Sequence, residues 1–543
     1  MARLKIDGIL VLSYEYELYK DIYWKDLSEM VIDRYGKGRF TSNEVVETIL
    51  LDCFNNLIKH FKEIITKETE LSFFLYVYFL HEESLKLYIK QLGGFELETI
   101  SESDFATYRR ILKLVLEQGC DIDLFEGKFP TSDEVYRMEE IIQRLYYIGM
   151  WIYQFADFIA YQKMIDEAHV IEIEHDELTI DWQHHYGIAY KSLMSKFSAD
   201  YKNVAVEEDI VEELKKAIDD CFCIDYIWAG SLIFEIKKHF RPEDPSLQTI
   251  EPYVLPENLS QQFDISQDLA EMFYNGISIS RNNKMSIEDV IIKPYSTERY
   301  MYRPILIYNI GGIPRALVGE EKFKESIMVL ATNAISWNSI PLEWRKNRKM
   351  LKFISRKGNE HDKILEDKIE QIIRDKELLF CRNIKSFKLS KSDSINIDNE
   401  LAGEIDFIII NKKNSIIYVA DSKYNKAKYE AVGYRADYSN FLKSYEPQLS
   451  KKVNWINDNK EVLEKHLKII NNLTELDLSS FNVEGVFFIN TPTFYMFNGK
   501  YKAITLNHIA DYITGINVYK EIAYKDSIQE IRTINHPYFV KKG

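Results

Sequence analysis

Residues Gly403 to Tyr424 read GEIDFIIINKKNSIIYVADSKY, and the pattern of this stretch decides the fold of the last third of the chain. Two apolar runs, Phe407–Ile410 and Ile416–Ala420, flank the polar Asn411–Ser415, the signature of a β-hairpin. With Lys413 and Asn414 forming a two-residue turn, Asp406 lies directly opposite Asp421 and Glu404 opposite Lys423. The two-residue side-chain period of a strand then places all four on one face. The remaining strand positions are apolar on both faces, as expected of strands in the middle of a sheet, so the charges gather at one end of an otherwise buried hairpin.

Such an arrangement is costly by itself. Directly opposed like charges destabilise a strand pair, and a desolvated carboxylate costs several kcal/mol unless a partner compensates it. A divalent cation between Asp406 and Asp421 removes that penalty, and oxygen-only ligation suits a hard ion such as Mg²⁺ or Mn²⁺. Lys423 adds a positive charge where a water is activated or where charge develops on a phosphate. Together these are the components of phosphodiester hydrolysis. The alternative is a surface hairpin end, with Glu404 and Lys423 paired and both aspartates in water.

The segment resembles the PD-(D/E)xK nuclease superfamily, whose fold is that of type II restriction endonucleases. The resemblance rests on Asp406 as the acid of the first hairpin strand and on Asp421-Ser422-Lys423 as the (D/E)xK element. Gly403-Glu404 completes the G-E-x-D form, and the likeness spans Arg356 to Asn498. It implies a C-terminal α/β domain with a mixed central sheet, Mg²⁺ (or Mn²⁺) as cofactor, and a nucleic-acid substrate, DNA foremost. By the same resemblance Glu446–Trp455 (EPQLSKKVNW) is the helix that carries a glutamine near the site, Gln448, with Lys451 or Lys452 facing phosphate. Lys357–Arg374 is then the first helix, whose acid joins the metal: Glu366, or Glu370 one turn later. Glu484–Asn490 is the strand that follows. Two departures stand out, since Ile405 occupies the place of a proline and Asp421 stands where Glu is more common. They keep open a second reading, a catalytically silent nucleic-acid-binding or assembly subunit that retains the fold.

Working outward, charge is unevenly divided. Residues 345–543 carry 34 Lys and Arg against 26 Asp and Glu, whereas the preceding 344 residues carry 35 against 59. The last third is therefore the part suited to a polyanion, although the chain as a whole is at −16. Trp344–Gly358 (WRKNRKMLKFISRKG) holds basic residues and no acid, which makes Arg345, Lys346, Arg348, Lys349 and Lys352 candidates for phosphate contact. Between Lys423 and Trp455, Tyr424, Tyr429, Tyr434 and Tyr438 interleave with lysines and an arginine, a pattern that permits base stacking but is common in a chain with 36 tyrosines.

The other candidate sites read as structure. His175-Asp176 with Asp181, His184 and His185 is the densest His/Asp cluster, yet no spacing assigns the remaining ligands of a phosphohydrolase site, so a polar surface or an interdomain contact is expected. Cys221-x-Cys223 has no second pair and reads as thiols rather than zinc ligands, and Gly311-Gly312 reads as a turn.

At 543 residues the chain is long enough for several domains. We expect a mainly α-helical acidic region over 1–240, a connector and middle α/β segment over 241–343, and the nuclease-like domain over 344–543. The connector is placed where Pro242, Pro245, Pro252 and Pro256 cluster. Leu4–Leu12 reads as a strand, Thr41-x-x-Glu44 and Thr131-x-x-Glu134 as capping boxes, and the uncharged Leu145–Ala156 as a helix surrounded by protein. Five scattered cysteines argue for a reducing compartment, and no apolar run reaches the roughly 18 residues of a membrane span. The expectation is a cytoplasmic protein with no membrane contact, whose acidic N-terminal region restrains or senses for the nuclease, or binds a protein partner or a second copy. Bacterial defence against foreign DNA is the analogy this suggests.

Overall fold

A computed structural model of the chain describes residues 3–12, 16–127, 130–165, 167–183, 210–230, 254–390, 392–397, 401–428, 430–516, 521–525 and 531–535. The architecture is mixed α/β. The chain divides into two compact units rather than the three consecutive segments expected. Unit 1 comprises residues 1–159, 170–181 and 207–358, and unit 2 comprises 160–169, 182–206 and 359–543.

Unit 1 begins with a hairpin, β1 (Arg3–Ile6) and β2 (Ile9–Leu12). The expected single strand over Leu4–Leu12 is broken because Asp7 and Gly8 both take positive φ, the geometry of a tight two-residue turn. Long helices follow: α1 (Asn43–Ile65), α2 (Leu71–Leu92), α3 (Glu102–Gly119) and α4 (Ser132–Met164). The Thr131 box forms, with Glu134 accepting from the Thr131 backbone N–H at 2.6 Å and the Thr131 hydroxyl accepting from the Glu134 N–H at 3.4 Å. At the Thr41 box the helix starts one residue late, after Ser42. Leu145, Tyr147, Ile148, Ile152 and Phe155 are fully buried, as the uncharged stretch of α4 requires.

The middle segment belongs to unit 1 because it completes its core. Helices α5 (Ile210–Phe222), α6 (Val254–Phe263), α7 (Gln267–Gly276) and α8 (Glu320–Ala331) pack with Trp344, Met350 and Ile354 into one apolar cluster. Strand β3 (Ile305–Ile310) pairs in parallel with Asp123–Leu124 from the N-terminal region, and Lys113 of α3 meets Glu325 of α8 at 2.9 Å. Gly311-Gly312, both at positive φ, turn β3 back into Ile313–Leu317 as expected. Pro242, Pro245 and Pro252 lie outside the described residues, while Pro256 sits in the first turn of α6, where its missing N–H costs nothing.

Helix α9 (Arg348–Asp375) contributes Arg348 to Gly358 to unit 1 and Asn359 to Asp375 to unit 2. In unit 2 a five-stranded sheet has the order β4 (Leu379–Ile384), β5 (Ile405–Asn411), β6 (Ile416–Lys423), β7 (Asn482–Ile489), β8 (Lys502–Thr505). The first three strands are antiparallel and the last two join in parallel. A parallel pairing needs a long crossover, here supplied by α10 (Ala431–Asn440), a π-helical turn at Phe441–Tyr445, α11 (Glu446–Asp458) and α12 (Lys460–Ile470). Hairpin β5–β6 is central, and Phe407 to Ile410 and Ile417, Val419 and Ala420 are essentially inaccessible.

Candidate active site

The hairpin register is the one the sequence pattern sets, with Phe407 opposite Ala420 and Ile410 opposite Ile417. Asn411 pairs with Ile416, so the connection is the four residues Lys412–Ser415 rather than a two-residue turn, and the register survives that change. One step beyond the last ladder pair, Asp406 and Asp421 occupy opposing positions. On the other side Arg382 pairs with Phe407 and Ile384 with Ile405, which sets Asn383 level with Asp406. Asn383 has φ +53° and drops out of the ladder, a local break in the pairing at the level of the acids with the register unchanged on either side.

A cleft of about 680 Å³ opens there, lined by Asp362, Glu366, Asn383, Glu404, Asp406, Lys423 and Tyr445 among others. Asp406 Oδ2 accepts from the Ser422 backbone N–H at 2.7 Å and from the Ser422 hydroxyl at 2.8 Å. Burial, reinforced by the charge of Asp421, pushes the Asp406 carboxyl up to about 6, against the pull of Lys452 and Lys423. Asp421 is buried, and burial alone would raise its carboxyl too. Lys423 and Lys452 nevertheless hold it below the usual range. Lys452 Nζ donates to Asp421 Oδ1 at 2.5 Å. Lys423 Nζ lies 2.5 Å from Oδ2, an ionic contact that leaves Oδ2 without an aligned hydrogen-bond donor. The Lys423 ammonium also stands 4.8 Å above the Tyr445 ring, and Asp421 and Asp406 outweigh burial in keeping it protonated.

The backbone leaving Lys423 is fixed by a reciprocal clamp. Asn425 N–H donates to Asn490 Oδ1 at 2.7 Å, and Asn490 Nδ2 donates to the Asn425 carbonyl at 2.8 Å. Lys423 is thereby held on the strand rather than on a loose loop.

Several expected partners differ. Glu404 precedes β5 and pairs with Lys385 at 3.2 Å, so the cross-strand pair with Lys423 does not form, Lys423 having turned to Asp421. Glu366 lines the cleft but is held by Arg382 at 2.8 Å, and Glu370 is taken by Arg374 and Arg382. Asp362, one turn before Glu366 on the same face of α9, reaches the cleft with no hydrogen bond or ion pair among the described residues. The surrounding walls and Glu366 raise its carboxyl. Its i,i+4 spacing from Glu366 was the signal that could have found it.

Helix α11 buries Leu449, Lys452 and Ile456, and Gln448 falls on the flank of that stripe. Gln448 is exposed, contacts Ser444 at 3.4 Å and does not line the cleft. Lys451 is exposed, whereas Lys452 is spent on Asp421 rather than open to phosphate. Tyr445 carried no sequence signal, because the π-helical turn that carries it is not legible in composition. Tyr424 lines the same cleft, Tyr434 is core, and Tyr429 lies outside the described residues.

Elsewhere, Arg345, Lys346, Arg348, Lys349 and Lys352 are exposed and make no ion pair among the described residues, all within unit 1. His175 and Asp176 form the tight turn of the hairpin His169–Glu174/Glu177–Trp182, with Asp176 paired to Lys37 at 2.5 Å; His184 and His185 lie outside the described residues. All five cysteines are free thiols. Among the described residues no group of three or more His, Cys, Asp or Glu side chains is arranged to hold a metal, and no helix is long and apolar enough to cross a membrane. Compared with protein-family models, curated proteins and solved structures, the chain finds no match.

Proposed function

We propose that unit 2 hydrolyses phosphodiester bonds in nucleic acid, DNA foremost, with Mg²⁺ or Mn²⁺ as cofactor. The observation that carries this reading is the meeting of Asp406, Asp421 and Lys423 at the end of a buried hairpin, where Asp406 and Lys423 line a cleft together with Asp362, Glu366 and Glu404 and Asp421 lies buried behind them. The donor set fits a hard divalent ion. It is all oxygen, Asp406 is pushed up to about 6 beside its neighbouring acid, and Asp421 Oδ2 lacks an aligned donor. Asp406 and Asp421 would hold such an ion, which when bound supplies positive charge to the phosphate and favours ionisation of water.

Lys423, kept protonated by the two aspartates, serves as a cation toward charge developing on the phosphate, not as a base. Asp362, open to the cleft, is better placed than the Arg382-bound Glu366 to assist. The first turn of α9 has no acid, against the preference of a helix N-terminus, and its cations, without an ion pair among the described residues, support phosphate contact there. Unit 1 we read as a regulatory region that binds a protein partner or a second copy, with bacterial defence as the setting by analogy.

One observation favours a silent binding or assembly subunit instead: both oxygens of Asp421 already face an ammonium ion. Incubation of the whole chain with plasmid and Mg²⁺ or Mn²⁺ separates the two readings. Cutting that is lost in Asp421→Ala and in Lys423→Ala is the expected result. Cutting that survives both substitutions refutes the site, and binding of plasmid without cutting favours the silent subunit.

A further inference from the structure

Lys452 projects from the buried stripe of α11, its side chain 9% exposed, and ends 2.5 Å from Asp421 Oδ1. A buried ammonium keeps its charge only beside a compensating group, and the compensation here is Asp421. Asp421 in turn faces two cations, so with Asp406 ionised the four groups sum to zero charge. A divalent ion added to Asp406 and Asp421 would leave the cluster strongly positive in a poorly solvated site, where like charges repel far more than in water. Coordination through Oδ1 also claims the position Lys452 occupies. Of the two lysines, Lys423 is the better anchored, fixed by its strand, the Asn425–Asn490 clamp and the Tyr445 ring. Lys452 reaches in on a flexible four-carbon stem.

We propose that Lys452 is an internal competitor of the divalent ion: it occupies Asp421 until the ion binds and then withdraws from that carboxylate, so that loading the site and releasing Lys452 are one event. This rests on the metal-dependent reading above and adds a regulatory element to it, because whatever draws Lys452 away raises the affinity of the site for the ion.

The test is Mn²⁺ binding, measured by calorimetry on the whole chain without nucleic acid. Lys452→Met keeps the bulk of the side chain and removes its charge, and is expected to tighten Mn²⁺ binding by about tenfold or more. Asp421→Asn is expected to abolish binding. A second measurement needs no variant: acylation of Lys452, read by mass spectrometry on the wild-type chain, is expected to rise several-fold when Mn²⁺ is added. If wild type binds Mn²⁺ through Asp421, yet Lys452→Met binds no tighter or Lys452 stays protected, the competitor role is refuted while the metal reading stands. If no form binds Mn²⁺, the metal reading itself fails and takes this inference with it.

Discussion

Removing the charge of Asp421 strands two buried lysines, and the size of the effect follows from their geometry. Lys423 and Lys452 each lie 2.5 Å from a carboxylate oxygen of Asp421, with side-chain exposures of 19% and 9%. Breaking a buried pair by removing one partner costs about 3–5 kcal/mol, chiefly the cost of the charge left behind. Asp421→Asn should therefore lower the stability of unit 2 by about that amount. Lys452→Met should cost about 1 kcal/mol, because Asp421 keeps Lys423 as a partner. The double variant strands one ammonium fewer than Asp421→Asn alone and should recover about 2 kcal/mol, which with the cost of Lys452→Met makes a coupling of about 3 kcal/mol, at the upper end of the range measured for contacting residues. Urea unfolding read by tryptophan fluorescence reports on unit 2 through Trp455, whose ring stacks on Phe387 at 4.8 Å. Unchanged m-values would show that the denatured state is not the source. Additive effects, with coupling below about 0.5 kcal/mol, would refute the pair and with it the charge account of the site.

Two further outcomes are expected. The Asp406 carboxyl, raised to about 6, binds its proton more tightly folded than unfolded, so its contribution to stability is complete below about pH 4 and is lost as pH rises through 6. The wild type should lose up to about 3 kcal/mol relative to Asp406→Asn between pH 4 and 7, and parallel stability curves for the two would contradict this. In unit 1, a Cβ at Gly276 would lie 2.2 Å from Trp344 Nε1, which is buried and donates to the Phe273 carbonyl at 3.0 Å. Although alanine is the better helix former, Gly276→Ala should destabilise by about 1–3 kcal/mol through overpacking, and a neutral or stabilising result in thermal unfolding would contradict the packing described.

What could be read in advance, and what could not, divides by the range of the interactions involved. The hairpin register was legible because it is set locally: the polar link is centred on Lys413 and Asn414, and lengthening it from two residues to four about that centre leaves every pairing unchanged. The Thr131 cap and the Gly311-Gly312 turn were legible for the same reason, each being decided within four residues. Lys452 was not. A lysine on a helix reads as surface, and only a strand 31 residues away in sequence supplies the carboxylate that buries it. The choice between Asp362 and Glu366 was likewise made by Arg382, on a strand outside the helix that carries both acids. The middle segment was read as separate because its prolines look like a boundary, whereas its apolar faces find their partners among residues as distant as Trp344 and Ile354.

The parallel pairing of β6 with β7 has a consequence for biosynthesis. Ile416 meets Asn482 and Lys423 meets Ile489, so neither strand is covered on that side until dozens of later residues have left the ribosome. Contacts of such long sequence separation form late, because the entropy of closing the intervening loop must be overcome before any pairing rewards it. The hairpin that sets Asp406 against Asp421 can close as soon as it has emerged, but the far side of β6 and the Asn425–Asn490 clamp are completed only once β7 has been made, so a nascent chain that stops before β7 carries the two acids without the support that fixes the backbone beside Lys423.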